Sequence, residues 1–204
     1  MIAIVDYGVG NLRSVQKAFQ AIGYQARIVA QPEELNDASS IVLPGVGAFG
    51  DAMDNLREGG WVAPLLGDIR QEKPFMGICL GMQLLFEQSD EMGVHRGLGL
   101  FPGRVPKFEP GLLVPQIGWN QIHIQRPHPL LEGVLSGSFA YFVHSYYVEP
   151  EDENIVLAET DYGIHYASVV GMQRAFGIQF HPEKSQDVGL RILRNFARME
   201  EGEL

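Results

Sequence analysis

The residues best suited to chemistry are the single cysteine, Cys79, and the pair His181 and Glu183. Gly77-Ile78-Cys79-Leu80-Gly81 has the form G-x-nucleophile-x-G, which carries a nucleophile out on a sharp turn between a strand and a helix. The flanking glycines leave room for that strained turn. A helix opening behind the thiol would favour its thiolate, and the Leu80 N–H would face the carbonyl oxygen of an attacked substrate. A lone cysteine is more often a small buried hydrophobe. The two glycines, the apolar run before it and the helical pattern after it argue here for a nucleophile.

His181-Pro182-Glu183 closes the apolar run at residues 174–180. At a strand's end, Pro182 stiffens the step to Glu183, whose carboxylate can hold one imidazole nitrogen while the other faces the thiol. His95, His123, His128 and His165 sit in polar or turn contexts without a spaced partner, and His144 lies in the aromatic run at residues 141–147. Nucleophile, base and orienting acid together imply acyl transfer through a thioester. The acid follows the histidine, whereas an α/β-hydrolase places it before, which argues against an esterase.

The elements that must position these groups read as an α/β fold. Ile2-Ala3-Ile4-Val5 is a buried-strand pattern, and residues 11–22 carry Leu12, Val15, Phe19 and Ile22 at helical spacing before Gly23. Apolar runs at 26–29, 40–43 and 74–78 alternate with helical candidates at 49–56 and 62–69, and a helix with Leu80, Leu84 and Leu85 follows the elbow. Such alternation predicts a mostly parallel central sheet flanked by helices, flavodoxin-like. Strand candidates at 105–108, 120–124, 139–148, 155–158, 165–170 and 174–180, separated by turns, predict an antiparallel extension of it. A helix over residues 188–199 closes the chain, and no internal repeat or linker interrupts the reading of 1–204 as one domain.

Composition narrows the classes. The net charge is −10, so a phosphate backbone or anionic membrane would be repelled and nucleic acid is a poor partner. The charge is scattered apart from a short acidic tail, Glu200-Glu201-Gly202-Glu203. One cysteine leaves no intramolecular disulfide and no multi-cysteine zinc site. No secretory h-region or bilayer-length apolar run is present, so the expected location is the cytoplasm, where the thiol stays reduced. Gly8-Val9-Gly10 after the first strand hints at a dinucleotide loop, but Arg13 stands where its third glycine belongs. No bound cofactor, nucleotide or metal is expected.

Gly77-Ile78-Cys79-Leu80-Gly81-Met82-Gln83 with Phe180-His181-Pro182-Glu183 resembles the class I (triad) glutamine amidotransferases. Further blocks, Val5-Asp6-Tyr7-Gly8-Val9-Gly10-Asn11-Leu12, Leu43-Pro44-Gly45-Val46-Gly47-Ala48-Phe49, Gly97-Leu98-Gly99-Leu100, Pro115-Gln116-Ile117-Gly118-Trp119-Asn120 and Tyr141-Phe142-Val143-His144-Ser145-Tyr146, are similar to the glutaminase subunits of imidazole glycerol phosphate synthases within that family. The resemblance spans essentially the whole domain. It implies glutamine hydrolysis in histidine biosynthesis, with ammonia passed to a separate (β/α)8-barrel cyclase in a heterodimer. It also implies that Gly45, Val46 and Gly47 complete an oxyanion hole begun by Leu80. By the same resemblance Gln83, Ser145 and Tyr146 hold the α-amino and α-carboxylate ends of glutamine, while Asn11, Trp119, Asn120 and Lys184 face the partner. Gln116 carries no catalytic expectation. The alternative within the family is a glutaminase serving another acceptor, such as pyridoxal phosphate synthase.

Overall fold

The computed structural model describes residues 1–200; the rest of the acidic tail, from residue 201, lies outside the described residues. Thirteen strands are present among them: β1 (Ile2–Val5), β2 (Ala26–Val29), β3 (Ser40–Gly45), β4 (Phe75–Cys79), β5 (Phe86–Ser89), β6 (His95–Arg96), β7 (Phe101–Val105), β8 (Gln116–Ile124), β9 (Ser138–His144), β10 (Glu149–Pro150), β11 (Val156–Asp161), β12 (His165–Met172) and β13 (Ala175–Ile178). Five helices accompany them: α1 (Leu12–Ala21), α2 (Phe49–Glu58), α3 (Val62–Arg70), α4 (Leu80–Gln83) and α5 (Gln186–Glu200).

The main sheet has nine strands in the order β2-β1-β3-β4-β13-β12-β11-β8-β9. The first five are mutually parallel, and β12, β11, β8 and β9 continue antiparallel, the expected extension. Because successive strand residues point to opposite faces, β1 sends Ala3 and Val5 into one core and Ile2 and Ile4 into another. The first core is filled from α2 and α3 by Phe49, Leu56, Trp61 and Leu65. The second is filled from α1 and α5, where the Phe19 and Phe196 rings lie 6.4 Å apart. Both faces of the parallel part are thus covered, which is why its strands are near-continuously apolar.

Three elements depart from the sequence reading. The helix after the elbow is a single turn, because the chain bends at Leu84 and Leu85 into β5. Strand β7 runs Phe101–Val105 and meets the expected run at 105–108 only at Val105; Pro102 and Gly103 disguise its start as a turn. Gly103 adopts a φ of 129° against the Glu149 carbonyl, an approach a Cβ would obstruct. Finally, the run at 139–148 breaks after His144, and β10 joins a second sheet of order β10-β7-β5-β6. That small sheet braces the segment between the elbow and β8.

Candidate active site

The site lies along the carboxyl ends of three neighbouring strands. Gly45 of β3 is the register partner of Cys79 of β4, and Ile178 of β13 is the partner of Ile78, so the chain leaving β13 passes Cys79 on its other side. Cys79 adopts φ 56° and ψ −113°, a left-handed conformation strained for a non-glycine residue. The packing around it shows what holds that strain. A Cβ at Gly81 would overlap the Leu43 carbonyl, and one at Gly77 would overlap the Gly81 carbonyl. The glycines therefore let the turn close tightly against β3. Since α4 is only one turn long, its dipole contributes less to the thiolate than the sequence reading supposed.

His181 follows β13 and opens a 3-10 turn, Pro182–Lys184. Its backbone is clamped on both sides: its N–H donates to the Tyr141 carbonyl of β9 at 2.9 Å, and its carbonyl accepts from the Ser185 hydroxyl at 2.7 Å. His181 Nδ1 and Glu183 Oε1 are 2.9 Å apart, with both side chains buried. Glu183 Oε2 is also buried and has no partner. Burial works against the protonated imidazole, but the hydrogen bonds and negative charges of Cys79 and Glu183 outweigh it and push His181 up to about 10. At neutral pH His181 is therefore held as the imidazolium beside Cys79.

Facing them runs the segment of Gly45, Val46 and Gly47. A Cβ at Gly45 would lie 2.6 Å from the Tyr7 hydroxyl and 2.9 Å from Leu80 Cβ, so only glycine lets this strand lie against the elbow. Gly47 has a φ of 113°, and Val46 is 44% exposed, so packing does not pin its side chain. Val46 and Gly47, with Cys79, Leu80, Gln83, Ser145, Tyr146, His181 and Lys184, line a cavity of about 290 Å3, sized for one small ligand, while Gly45 packs behind it against Tyr7 and Leu80.

The wall beyond the cysteine is built from buried polar groups. Gln83 Nε2 donates to the Tyr146 carbonyl at 2.9 Å, and His144 Nδ1 lies 2.8 Å from the same oxygen. Burial pushes His144 down to about 4, so it is neutral, and a carbonyl neighbour requires the proton on Nδ1. The Tyr166 hydroxyl sits between His144 Nε2 at 3.1 Å and the Gln116 amide at 2.9 Å. Gln116, which carried no catalytic expectation, is therefore a buried member of the network that holds the Tyr146 carbonyl.

Of the residues expected to face a partner, Lys184 lines this cavity, while Trp119 lines a separate groove with Phe139 and Ser185. Trp119, 47% exposed, stands edge-on to Tyr141 across β8 and β9, and the Lys184 ammonium lies 5.9 Å from the Tyr141 ring centre. Asn120 is tied down, donating to the Asp161 carbonyl at 2.8 Å. Asn11 occupies the N-cap position of α1 without a side-chain capping bond, at the carboxyl edge of β1.

The model of the glutamine amidotransferase class-I family matches residues 3–199. The chain belongs to that family. It is 54% identical to the imidazole glycerol phosphate synthase subunit HisH of Syntrophotalea carbinolica, over 98% of this chain and 100% of that relative. The like-named proteins of Desulfitobacterium hafniense and Aquifex aeolicus are 51% and 50% identical, each over 97% of this chain and over 94% and 96% of their own lengths. In fold, the amidotransferase is similar to the crystal structure of a glutamine amidotransferase (TM-score 0.78, 18% identity, 98% of this chain and 100% of that one). It is also similar to PurLQS from Thermotoga maritima (TM-score 0.77, 19% identity, 97% of each).

Two side chains of this amidotransferase reach the site without having been singled out in the sequence. Glu91 lines the cavity, and its Oε2 accepts from the Phe49 N–H at 2.6 Å, capping α2 just beyond the 45–47 segment. Gln179 is fully buried beside Cys79. The signal for Gln179 was its polarity inside the otherwise apolar run at 174–180; Glu91 offered none, because a loop intervenes. Among the described residues, no group of three or more His, Cys, Asp or Glu side chains could hold a metal, and no helix is long and apolar enough to cross a membrane.

Proposed function

We propose that this amidotransferase, acting as one domain in the cytoplasm, hydrolyses glutamine to glutamate and ammonia as the glutaminase subunit of imidazole glycerol phosphate synthase in histidine biosynthesis. The observation that carries the reading is the convergence of a left-handed cysteine and a buried His181–Glu183 pair on one cavity, in a chain 54% identical to a full-length relative bearing that name. The Cys79 thiolate attacks the carboxamide carbon. The Leu80 N–H and the backbone of residues 45–47 receive the oxyanion. His181 gives its proton to the leaving ammonia, then, neutral, takes one from the water that cleaves the γ-glutamyl thioester. Glu183 stabilises the imidazolium at each stage. Glu91 and the Gln83 carbonyl oxygen suit the α-ammonium of glutamine, and the Ser145–Tyr146 backbone its α-carboxylate.

A lost oxyanion donor typically costs ~3–4 kcal/mol of barrier. Rotation of the glycine-flanked Val46 peptide could therefore switch the enzyme, with a (β/α)8-barrel cyclase docked against Asn11, Trp119, Asn120 and Lys184 setting the state and receiving the ammonia. The test is reconstitution with that cyclase. Cys79→Ala should abolish synthesis from glutamine and leave synthesis from ammonium salts intact; loss of both would mean that Cys79 is structural. A fast glutaminase rate from the isolated chain would contradict the switch.

A further inference from the structure

We propose that Gln179 is a positioning residue for the nucleophile, its side-chain amide holding the Cys79 thiolate in the attacking position. The inference rests on the glutaminase reading but begins from the sheet. Register pairs Ile178 with Ile78, so Gln179 continues alongside Cys79, as Gly45 does on the opposite flank. Gln179 is fully buried between Ile178 and Phe180, where an amide is costly unless its hydrogen bonds are made.

They are made in a way that fixes which end of the amide meets sulfur. Gln83 Nε2 donates to Gln179 Oε1 at 3.1 Å while also donating to the Tyr146 carbonyl at 2.9 Å. With its oxygen satisfied, Gln179 turns its NH2 group toward Cys79 Sγ, 3.9 Å away. The backbone N–H of Gln179 donates to the Ser168 carbonyl at 2.9 Å, so the side chain hangs from a fixed strand. Besides His181, the sulfur also faces the Val143 carbonyl at 3.8 Å, which can accept from a thiol but repels a thiolate. The Gln179 amide offsets that repulsion by donating to the charged form of the sulfur. One strand end thus delivers a donor to the sulfur and, two residues on, the base. The same Gln83 that orients the amide lines the glutamine cavity, so the substrate site and the nucleophile share one hydrogen-bonded chain.

The test compares the parent with Gln179→Met, which removes the donor at similar volume, and Gln179→Glu, which replaces it with an isosteric anion. Alkylation of Cys79 by iodoacetamide is followed against pH in the full chain, and glutamine turnover is measured in the reconstituted complex. In Gln179→Met the midpoint for thiolate-dependent alkylation should rise by about one pH unit, and kcat should fall with KM little changed. In Gln179→Glu the rise should be larger. Alkylation profiles coincident with the parent in either folded variant, with folding checked by thermal melting, would overturn the proposal. So would a rise in KM alone. The alkylation arm needs no glutamine, so failure of the glutaminase reading would appear as absent parent turnover and would be separable from failure at Gln179.

Discussion

Replacing Glu183 by glutamine removes one negative charge and almost no volume, which makes it the sharpest probe of the His181 environment. The pair is buried and 2.9 Å apart, and burial alone would depress the imidazole. Cys79 and Glu183 together reverse that and carry it to about 10. A charge-assisted hydrogen bond of this kind is worth ~1.5–3 kcal/mol, or roughly one to two pH units at ~1.36 kcal/mol per unit. Glu183→Gln should therefore bring the His181 midpoint down by about that amount, leaving it still above the ordinary value while the thiolate remains. The titration is read from the 13C shift of the labelled His181 ring by NMR. The sign for stability follows. A raised histidine contributes stability that is complete below its unfolded value of 6.5 and is lost as pH rises through about 10. The variant should thus lose stability at neutral pH and show a flatter stability profile across that alkaline window. An unshifted midpoint would refute the assignment of Glu183 as the charge that holds the imidazolium.

Gly81→Ala should disrupt the elbow, because the new methyl meets the Leu43 carbonyl of a buried strand; a loss of roughly 3 kcal/mol or more is expected in urea denaturation, and an unchanged midpoint would contradict it. Tyr7→Phe should be neutral or stabilising by about 1 kcal/mol, since the buried hydroxyl has no partner to lose; clear destabilisation by the same assay would reveal one. Trp119→Ala should leave the thermal stability of the isolated chain within about 0.5 kcal/mol while weakening cyclase binding by calorimetry; unchanged affinity would remove Trp119 from the interface.

Much of this site was legible because its chemistry is local. The elbow needs glycines within two residues of the cysteine, and the acid lies two residues from its base, so both appear as short motifs. The parallel core was legible for the same reason, as runs of four to six apolar residues at β1, β3 and β4. What stayed hidden depends on pairing across the sheet. Gln179 gains meaning only from the β4–β13 register, and Gln116 only from Tyr166, fifty residues away. The small second sheet escaped because Pro102 and Gly103 look like a turn until Glu149 is placed beside them. The short α4 escaped because Leu84 and Leu85 continue a helical spacing that the bend into β5 overrides. The residues proposed to face a partner had no local signature at all and came from family resemblance.

The central claim is that Cys79 becomes covalently acylated by glutamine with His181 serving both halves of the reaction. Rapid acid-quench mass spectrometry of the parent chain, reconstituted with the proposed cyclase and glutamine, catches the acyl group during turnover, and His181→Ala should lower both its formation and its release. A γ-glutamyl adduct confined to the peptide containing Cys79 is expected. Glutamine hydrolysis proceeding in Cys79→Ala, or an adduct on any other residue, would contradict it.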